Sequence, residues 1–248
     1  MRIDVFFGSQ ALTPADVSGR VIAVIDVLRA STSIAVALAN GAKSVIPFDS
    51  PEEAVTRRTS LDKSDVRLAG ERKMLMIPGF DLGNSPREFT PEAIEGKTVL
   101  MVTTNGTGSL TAVQGARDVV VASFVNFSAV LALLRTAARG GTDIAIICSG
   151  RDRQFSLEDA ACAGRYARQI TRRMTGTELN DAARAAMLID KKYGDNILKL
   201  FQDSTHGRAL SEAGFAEDVA MCAEVDSYSV VPIYHDRQVT KLGPERER

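Results

Sequence analysis

The stretch RVIAVIDVLRASTSIAVALANG, residues 20–41, decides the fold class. Residues 20–27 are a near-continuous β-branched and apolar run, the composition of a strand covered on both faces. Residues 31–40 are mostly small or apolar, as a packed helix requires, and Gly41 closes them. The step from strand to helix recurs at 97–103 followed by 105–115, and at 143–148 followed by 156–175. Shorter strands are expected over 44–48, 67–69 and 118–122, and a helix over 126–138 ahead of the Gly140-Gly141 turn. Such alternation implies an α/β protein, a three-layer α/β/α arrangement around a mainly parallel (mixed) sheet. Past residue 175 the pattern becomes helical at 178–192, 196–201 and 217–224. A helix-rich C-terminal part, a subregion at about 176–225, is therefore expected, before an alternating closing strand over 227–235. No Pro/Gly/Ser-rich linker divides the chain, so residues 1–240 read as one domain, with 241–248 a charged, disordered tail.

Of the 248 residues 45% are hydrophobic and 25% charged, as in an ordinary globular protein with a sizeable core. Thirty Lys and Arg stand against 31 Asp and Glu, so no global positive field exists to hold nucleic acid or an acidic membrane. Any anion must be bound locally. Cys148, Cys162 and Cys222 lie far apart without a CxxC pair, which argues against a disulfide framework and a structural zinc site and favours a reducing cytoplasm. The N-terminal apolar run is too short for a signal peptide. No apolar stretch approaches the roughly 18–20 residues of a membrane span. The expected partner is a small anionic molecule, with no nucleic acid and no membrane; the apolar residues 130–134 could supply a homo-oligomer interface.

Open parallel sheets bind ligands beyond the carboxyl ends of their strands. Here those tips read Asp26-Val-Leu-Arg29-Ala-Ser31-Thr32, Thr103-Thr104-Asn105-Gly106-Thr107 and Ser149-Gly150-Arg151-Asp152-Arg153. Hydroxyls, helix-start N–H groups and arginines together make a competent phosphate or carboxylate site. Taken singly, Ser31, Thr107 and Ser156 are ordinary helix caps. Three such tips in one sheet point instead to a cradle, with Asp26, Asn105 and Arg151 lining a common cleft. Between residues 70 and 88, glycines and prolines fix turns while Glu71, Asp81, Asn84 and Glu88 offer the hard oxygen atoms that Mg²⁺ selects. Glu158 and Asp159 add two carboxylates, although acids in a first helical turn also answer to the macrodipole. His206, within Ser204-Thr205-His206-Gly207-Arg208, has the neighbours to complete an anion site; His235 reads as a surface or structural residue.

Familiar signatures fail on spacing. Gly96-Lys97-Thr98 imitates a P-loop but precedes a strand, and Pro91 stands where the first glycine belongs. Gly106-Thr107-Gly108 has Thr111 in place of the third fingerprint glycine of a dinucleotide site. Cys148 would need an arginine at Gln154 for a cysteine phosphatase, and Asp26 has Leu28 where a haloacid dehalogenase carries a second Asp. Cys148 and Cys162 read as buried core residues.

The blocks VIDVLRAST (24–32), GER (70–72), GFDLGNSPRE (79–88), TTNGT (103–107), FSLEDAACAG (155–164) and STHGRAL (204–210) resemble, in content and order, the 2-phosphosulfolactate phosphatase family. The resemblance implies a Mg²⁺-dependent phosphatase that converts 2-phospho-3-sulfolactate to 3-sulfolactate and phosphate on the route to coenzyme M. Phosphate-ester hydrolysis needs cations on the phosphoryl oxygens and a stabilised leaving group. Within that reading Asp26, Glu71 and Asp81 are the first metal candidates, with Glu158 and Asp159 in reserve. Asp26, Arg29, Glu71 and Asn105 carry the chemistry. Ser31, Thr32, Arg72, Thr104, Gly106, Thr107, Arg151, Arg153 and His206 bind substrate, and Arg87 is a further cation nearby. Where the family's GER runs into glycine-rich sequence, this chain has Lys73-Met74-Leu75-Met76. Two alternatives stand beside this reading: a phosphatase of another phosphorylated hydroxy acid, and a non-catalytic anion-binding regulatory module. The latter has no evident use for Asp26, Glu71 and Asp81.

Overall fold

The 20–41 segment folds as a buried strand and an enclosed helix in the computed structural model, which describes residues 1–152, 154–172 and 174–243. The strands are β1 (Arg2–Phe6), β2 (Val21–Ile25), β3 (Ser44–Phe48), β4 (Val66–Arg72), β5 (Leu75–Met76), β6 (Thr98–Val102), β7 (Asp118–Ala122), β8 (Ile144–Cys148), β9 (Glu178–Leu179), β10 (Pro232–His235) and β11 (Gln238–Lys241). The helices are α1 (Pro14–Val17), α2 (Ala30–Ala39), α3 (Pro51–Thr59), α4 (Pro91–Ile94), α5 (Gly106–Thr111), α6 (Phe127–Arg139), α7 (Leu157–Thr171), α8 (Asp181–Tyr193), α9 (Ile197–Asp203), α10 (Thr205–Glu212) and α11 (Ala216–Cys222).

All five residues of β2 are buried, and they alternate between two cores. Val21, Ala23 and Ile25 face the layer of α6 and α7, while Ile22 and Val24 face α2. Helices thus cover both faces of one large mixed sheet, the three-layer α/β/α arrangement expected. Residues 30–38 of α2 are buried all round, the mark of a helix enclosed on every side. It ends where Gly41 turns to φ 96° and Ala42 N–H bonds back to the Ala37 carbonyl.

The strand order is β5-β4-β6-β3-β11-β10-β7-β2-β8-β1-β9. The block β7-β2-β8-β1 is parallel, and so is β3-β6-β4. Between them the C-terminal hairpin β10–β11 is inserted, antiparallel to both neighbours, so the two blocks run in opposite senses along the ladder. At about 20–25° of twist per step, the ladder from β2 to β6 turns through more than a right angle. It wraps around α2, which touches β3, β7, β10 and β11. That curvature brings the carboxyl ends of β2 and β6 to the same place despite the reversal.

Several boundaries differ from the expectation, each for a local reason. Residues 178–179 join the sheet beside β1 instead of starting a helix, because the Asn180 amide pins Val5 in both directions and caps α8. The closing strand is confined to 232–235 and is followed by β11, so Lys241 pairs with Pro232 rather than opening a frayed tail; residues 244–248 of that tail lie outside the described residues. The expected 67–69 strand extends to Arg72 and returns as β5. Helix α3, not expected above, is capped by Ser50 with Pro51 in its first turn. Val130, Leu131 and Leu134 are buried in the core beneath α6, so they form no outer face for a partner subunit. The three cysteines are free and buried. Helices α7 and α8 cross so closely at Gly164 that a Cβ there would meet the Ala186 carbonyl oxygen at 2.0 Å. Among the described residues no helix is long and apolar enough to cross a membrane.

Candidate functional site

Asp26 follows the last residue of β2, and its backbone is locked into the start of α2. Its N–H donates to Ser31 Oγ at 2.8 Å, and its carbonyl accepts from Ser31 N–H at 2.8 Å. The side chain is 6% exposed, yet its only hydrogen bond among the described residues is a long one, from Ala30 N–H to Oδ1 at 3.3 Å. Burial pushes this carboxyl up to about 6; His206 and the Ala30 amide pull it down, whereas Glu71 and Glu158 push it further up. The helix-start amides proposed for phosphate are therefore already used at α2, by Asp26 itself.

Asp26 opens into a cavity of about 160 Å³ at the converging strand tips, and Arg29, Glu71, Asn84, Asn105, Arg151 and His206 share its wall. Asp26, Asn105 and Arg151 thus line a common cleft, and Thr104 joins them. Gly106 lets the first turn of α5 approach: a Cβ there would lie 2.6 Å from Ala30 Cβ and 2.9 Å from Asp26 Oδ2. Asn105 ties two tips together, since its Oδ1 accepts from Asp152 N–H at 3.1 Å.

Four other carboxylates near the cavity are engaged by the protein. Glu71 accepts from Met74 N–H at 2.9 Å and from Thr104 N–H at 2.8 Å, fastening the β4–β5 hairpin to the tip of β6. Asp159 accepts from Val27 N–H at 2.8 Å and Gly150 N–H at 3.1 Å, fastening the tips of β2 and β8. Burial, with the charges of Asp26 and Glu158, raises the Asp159 carboxyl well above the usual range, and the two amides act against that. Asp218 receives Arg29 Nη1 at 2.6 Å and Ser85 Oγ at 2.7 Å. Glu158 faces His206 Nδ1 at 3.3 Å; burial pushes its carboxyl up, but the imidazole together with the Glu158 amide and Ser156 holds it below its ordinary value.

The remaining expected residues separate into those at the cavity and those turned elsewhere. Arg29 is 3% exposed, ion-paired with Asp218, bonded to the Met74 carbonyl and stacked over Phe215. Ser31 orients Asp26 from behind. Thr32 is fully buried, bonded to the Val27 carbonyl and to Ser123, and reaches no ligand. Thr107 is bonded back to Thr103, which caps the start of α5. Asp81 lies away from the cavity, bound to Leu68 N–H and Arg58, so it is not a metal candidate here. Asp159 leaves the reserve of metal ligands because both its oxygens hold backbone amides. Arg72 alternates to the far side of β4 and donates to the Asp49 carbonyl. Arg87 pairs with Glu217. Arg153 lies outside the described residues.

Two contributors escaped the sequence reading. Asp218 sits on α11, 189 positions beyond the Arg29 it holds, and no local pattern advertises it. Lys73 lines the cavity from the hairpin turn. Asn84, noted above only as an oxygen source, is 5% exposed and carries a buried Oδ1 with no hydrogen-bond partner among the described residues. Such an orphan at a cavity wall calls for a ligand.

A family model described as 2-phosphosulpholactate phosphatase matches residues 8–237. Similar proteins include one named "Probable 2-phosphosulfolactate phosphatase" from Symbiobacterium thermophilum, 39% identical over 93% of this chain and 98% of that protein. Proteins of the same name from Caldanaerobacter subterraneus subsp. tengcongensis, 37% identical over 90% of each chain, and from Clostridium botulinum, 33% identical over 98% of this chain and all of that one, match likewise.

Proposed function

The chain belongs to the 2-phosphosulfolactate phosphatase family and is a phosphoric monoester hydrolase, and we propose that it cleaves 2-phospho-3-sulfolactate to 3-sulfolactate and inorganic phosphate with Mg²⁺ as cofactor. The observation that carries this reading is the buried, nearly unpartnered Asp26 carboxyl at the floor of a cavity walled by Arg29, Lys73, Arg151 and His206. Acid below and basic groups around suit a polyanion that arrives with a cation.

The residues fit Mg²⁺ in a particular sense. Among the described residues no three His, Cys, Asp or Glu side chains are grouped to hold a metal by themselves. Mg²⁺ rarely asks for that: one or two carboxylates, waters and the substrate's own phosphate are its usual shell. Asp26, with the orphaned Asn84 Oδ1, would hold it, whereas Glu71 spends both oxygens on the Met74 and Thr104 amides. Bound there, the ion supplies Lewis-acid neutralisation of the phosphoryl oxygens.

The chain's own groups do the rest. Arg29, kept in one orientation by Asp218 and the Met74 carbonyl, presents a fixed positive edge to the phosphate. Thr104 and Asn105 bound the phosphate side of the cavity. His206, its Nδ1 turned to Glu158, keeps Nε2 for the ligand, and a proton at Nε2 would serve the leaving alkoxide. Such an enzyme would work in the cytoplasm and feed sulfolactate towards coenzyme M. The test is a panel of phosphate esters assayed for phosphate release with Mg²⁺. Highest kcat/KM on 2-phospho-3-sulfolactate supports the reading. Preference for an ester without the sulfonate would move the assignment to another phosphorylated hydroxy acid.

A further inference from the structure

The turn joining β4 to β5 consists of Lys73 and Met74, both in the left-handed region with φ 51° and 72°. Two-residue turns of this kind favour Asn and Gly, and long side chains rarely adopt the conformation. The turn is nevertheless fastened to the cavity from three sides. Met74 N–H donates to Glu71 Oε2 at 2.9 Å, the Met74 carbonyl accepts from Arg29 Nη2 at 3.0 Å, and Glu71 Oε1 accepts from Thr104 N–H at 2.8 Å. Met74 also packs against the main core. The hairpin is thus a fixed piece of wall, and Lys73, itself exposed, lines the cavity from its turn.

Lys73 differs in kind from the other basic groups of the cavity. Arg29 is paired with Asp218, His206 faces Glu158, and Arg151 lies 3.6 Å from Asp152 while donating to the Thr205 carbonyl. Among the described residues Lys73 has neither an ion pair nor a hydrogen bond from its side chain, although it lines the same space. Arg72, the neighbouring cation, points across to Asp49. An uncompensated ammonium is where additional negative charge on a ligand finds its counterion. With the phosphate on Arg29, Thr104 and Asn105 in the reading above, and the planar fork of Arg151 suited to the carboxylate, the sulfonate is left to Lys73, which meets it as a compact point charge.

We propose that Lys73 is a specificity-determining residue whose ammonium receives the sulfonate of the substrate. The proposal rests on the phosphatase reading above and names one subsite within it. Lys73→Asn separates charge from fold, because Asn tolerates the left-handed conformation better than Lys. The turn is kept or eased while the cation is lost. The comparison uses 2-phospho-3-sulfolactate and 2-phospholactate, which differ by the sulfonate alone. In Lys73→Asn the kcat/KM ratio between the two should fall at least tenfold, chiefly through KM on the sulfonated ester, with Tm equal to or above the parent. Lys73→Arg should restore most of the ratio. Calorimetric titration with 3-sulfolactate and with lactate supplies a readout that needs no turnover. If the parent binds sulfolactate more tightly and Lys73→Asn removes the difference, the subsite stands even in a protein that hydrolyses neither ester, and only the reaction assignment fails. An unchanged ratio, or sulfolactate binding indifferent to Lys73, overturns the proposal whatever the activity.

Discussion

The tip of β2 and the first turn of α7 both bury acidic side chains at the same edge of the sheet, and they use them in opposite ways. In α7, Asp159 gives both oxygens to backbone amides of two neighbouring strand tips, and Glu158 is matched to His206. At β2, Asp26 has a single long bond from Ala30 and no ion pair among the described residues. Both carboxyls are raised by burial. Partnership, not burial, therefore tells which acid is architecture and which is open to a ligand.

The contrast is broken or sharpened most strongly by substituting each acid in turn. Asp26→Asn keeps the shape and removes the charge, and we expect kcat to fall by at least about two orders of magnitude, the scale of a central electrostatic group, while the circular dichroism spectrum stays that of the parent. Asp159→Ala should do the reverse. It leaves the Val27 and Gly150 N–H groups buried without acceptors, at about 1–3 kcal/mol each. Urea unfolding should report a loss of about 2 kcal/mol or more, with a smaller fall in kcat than Asp26→Asn gives.

A milder probe crowds Asp26 without touching it. Gly106→Ala would set a Cβ against Ala30 and Asp26 Oδ2, and the shift of α5 should cost roughly tenfold in kcat and about 1–3 kcal/mol in stability. A parent-like rate would mean that the approach of α5 to Asp26 has no bearing on the chemistry.

The smallest effect is a pH dependence. Burial pushes the Asp26 carboxyl up to about 6 in the folded chain, against about 3.9 when unfolded. Between those values the folded state holds a proton that the unfolded state has released, so in chelator this group's contribution to stability is complete below about pH 4 and declines as pH rises through about 6. Asp26→Asn lacks that decline. Its Tm should exceed the parent's by a few degrees at pH 8, and the margin should vanish by pH 4. A margin independent of pH would show that Asp26 ionises as an ordinary exposed acid.

How much of this was legible beforehand depended on whether the information is local. The β2–α2 step could be read from 22 consecutive residues, and the carboxyl-edge rule then brought Asp26, Asn105 and Arg151 to one cleft. The rule survived a reversal that no local pattern announces: strands β10 and β11 come from the end of the chain and insert between β7 and β3. The hydroxyls of Ser31 and Thr32 looked alike in sequence, but helical phase turns one to Asp26 and the other to Ser123. Asp81 was lost to Arg58, a partner on the unassigned α3. The hairpin carrying Lys73 was invisible because Lys-Met is not a turn pair, and Asp218 because its partner lies 189 residues away.

The central claim is that the open valence of Asp26 serves a divalent cation and the phosphate it accompanies. The direct measurement is phosphate release from 2-phospho-3-sulfolactate by exhaustively chelated protein, titrated with Mg²⁺, for the parent and for Asp26→Asn side by side. The chelated parent should show no turnover and full recovery on adding Mg²⁺, with no comparable recovery in Asp26→Asn. Undiminished turnover by the chelated parent, or an Asp26→Asn protein that Mg²⁺ restores to the parent rate, would contradict it.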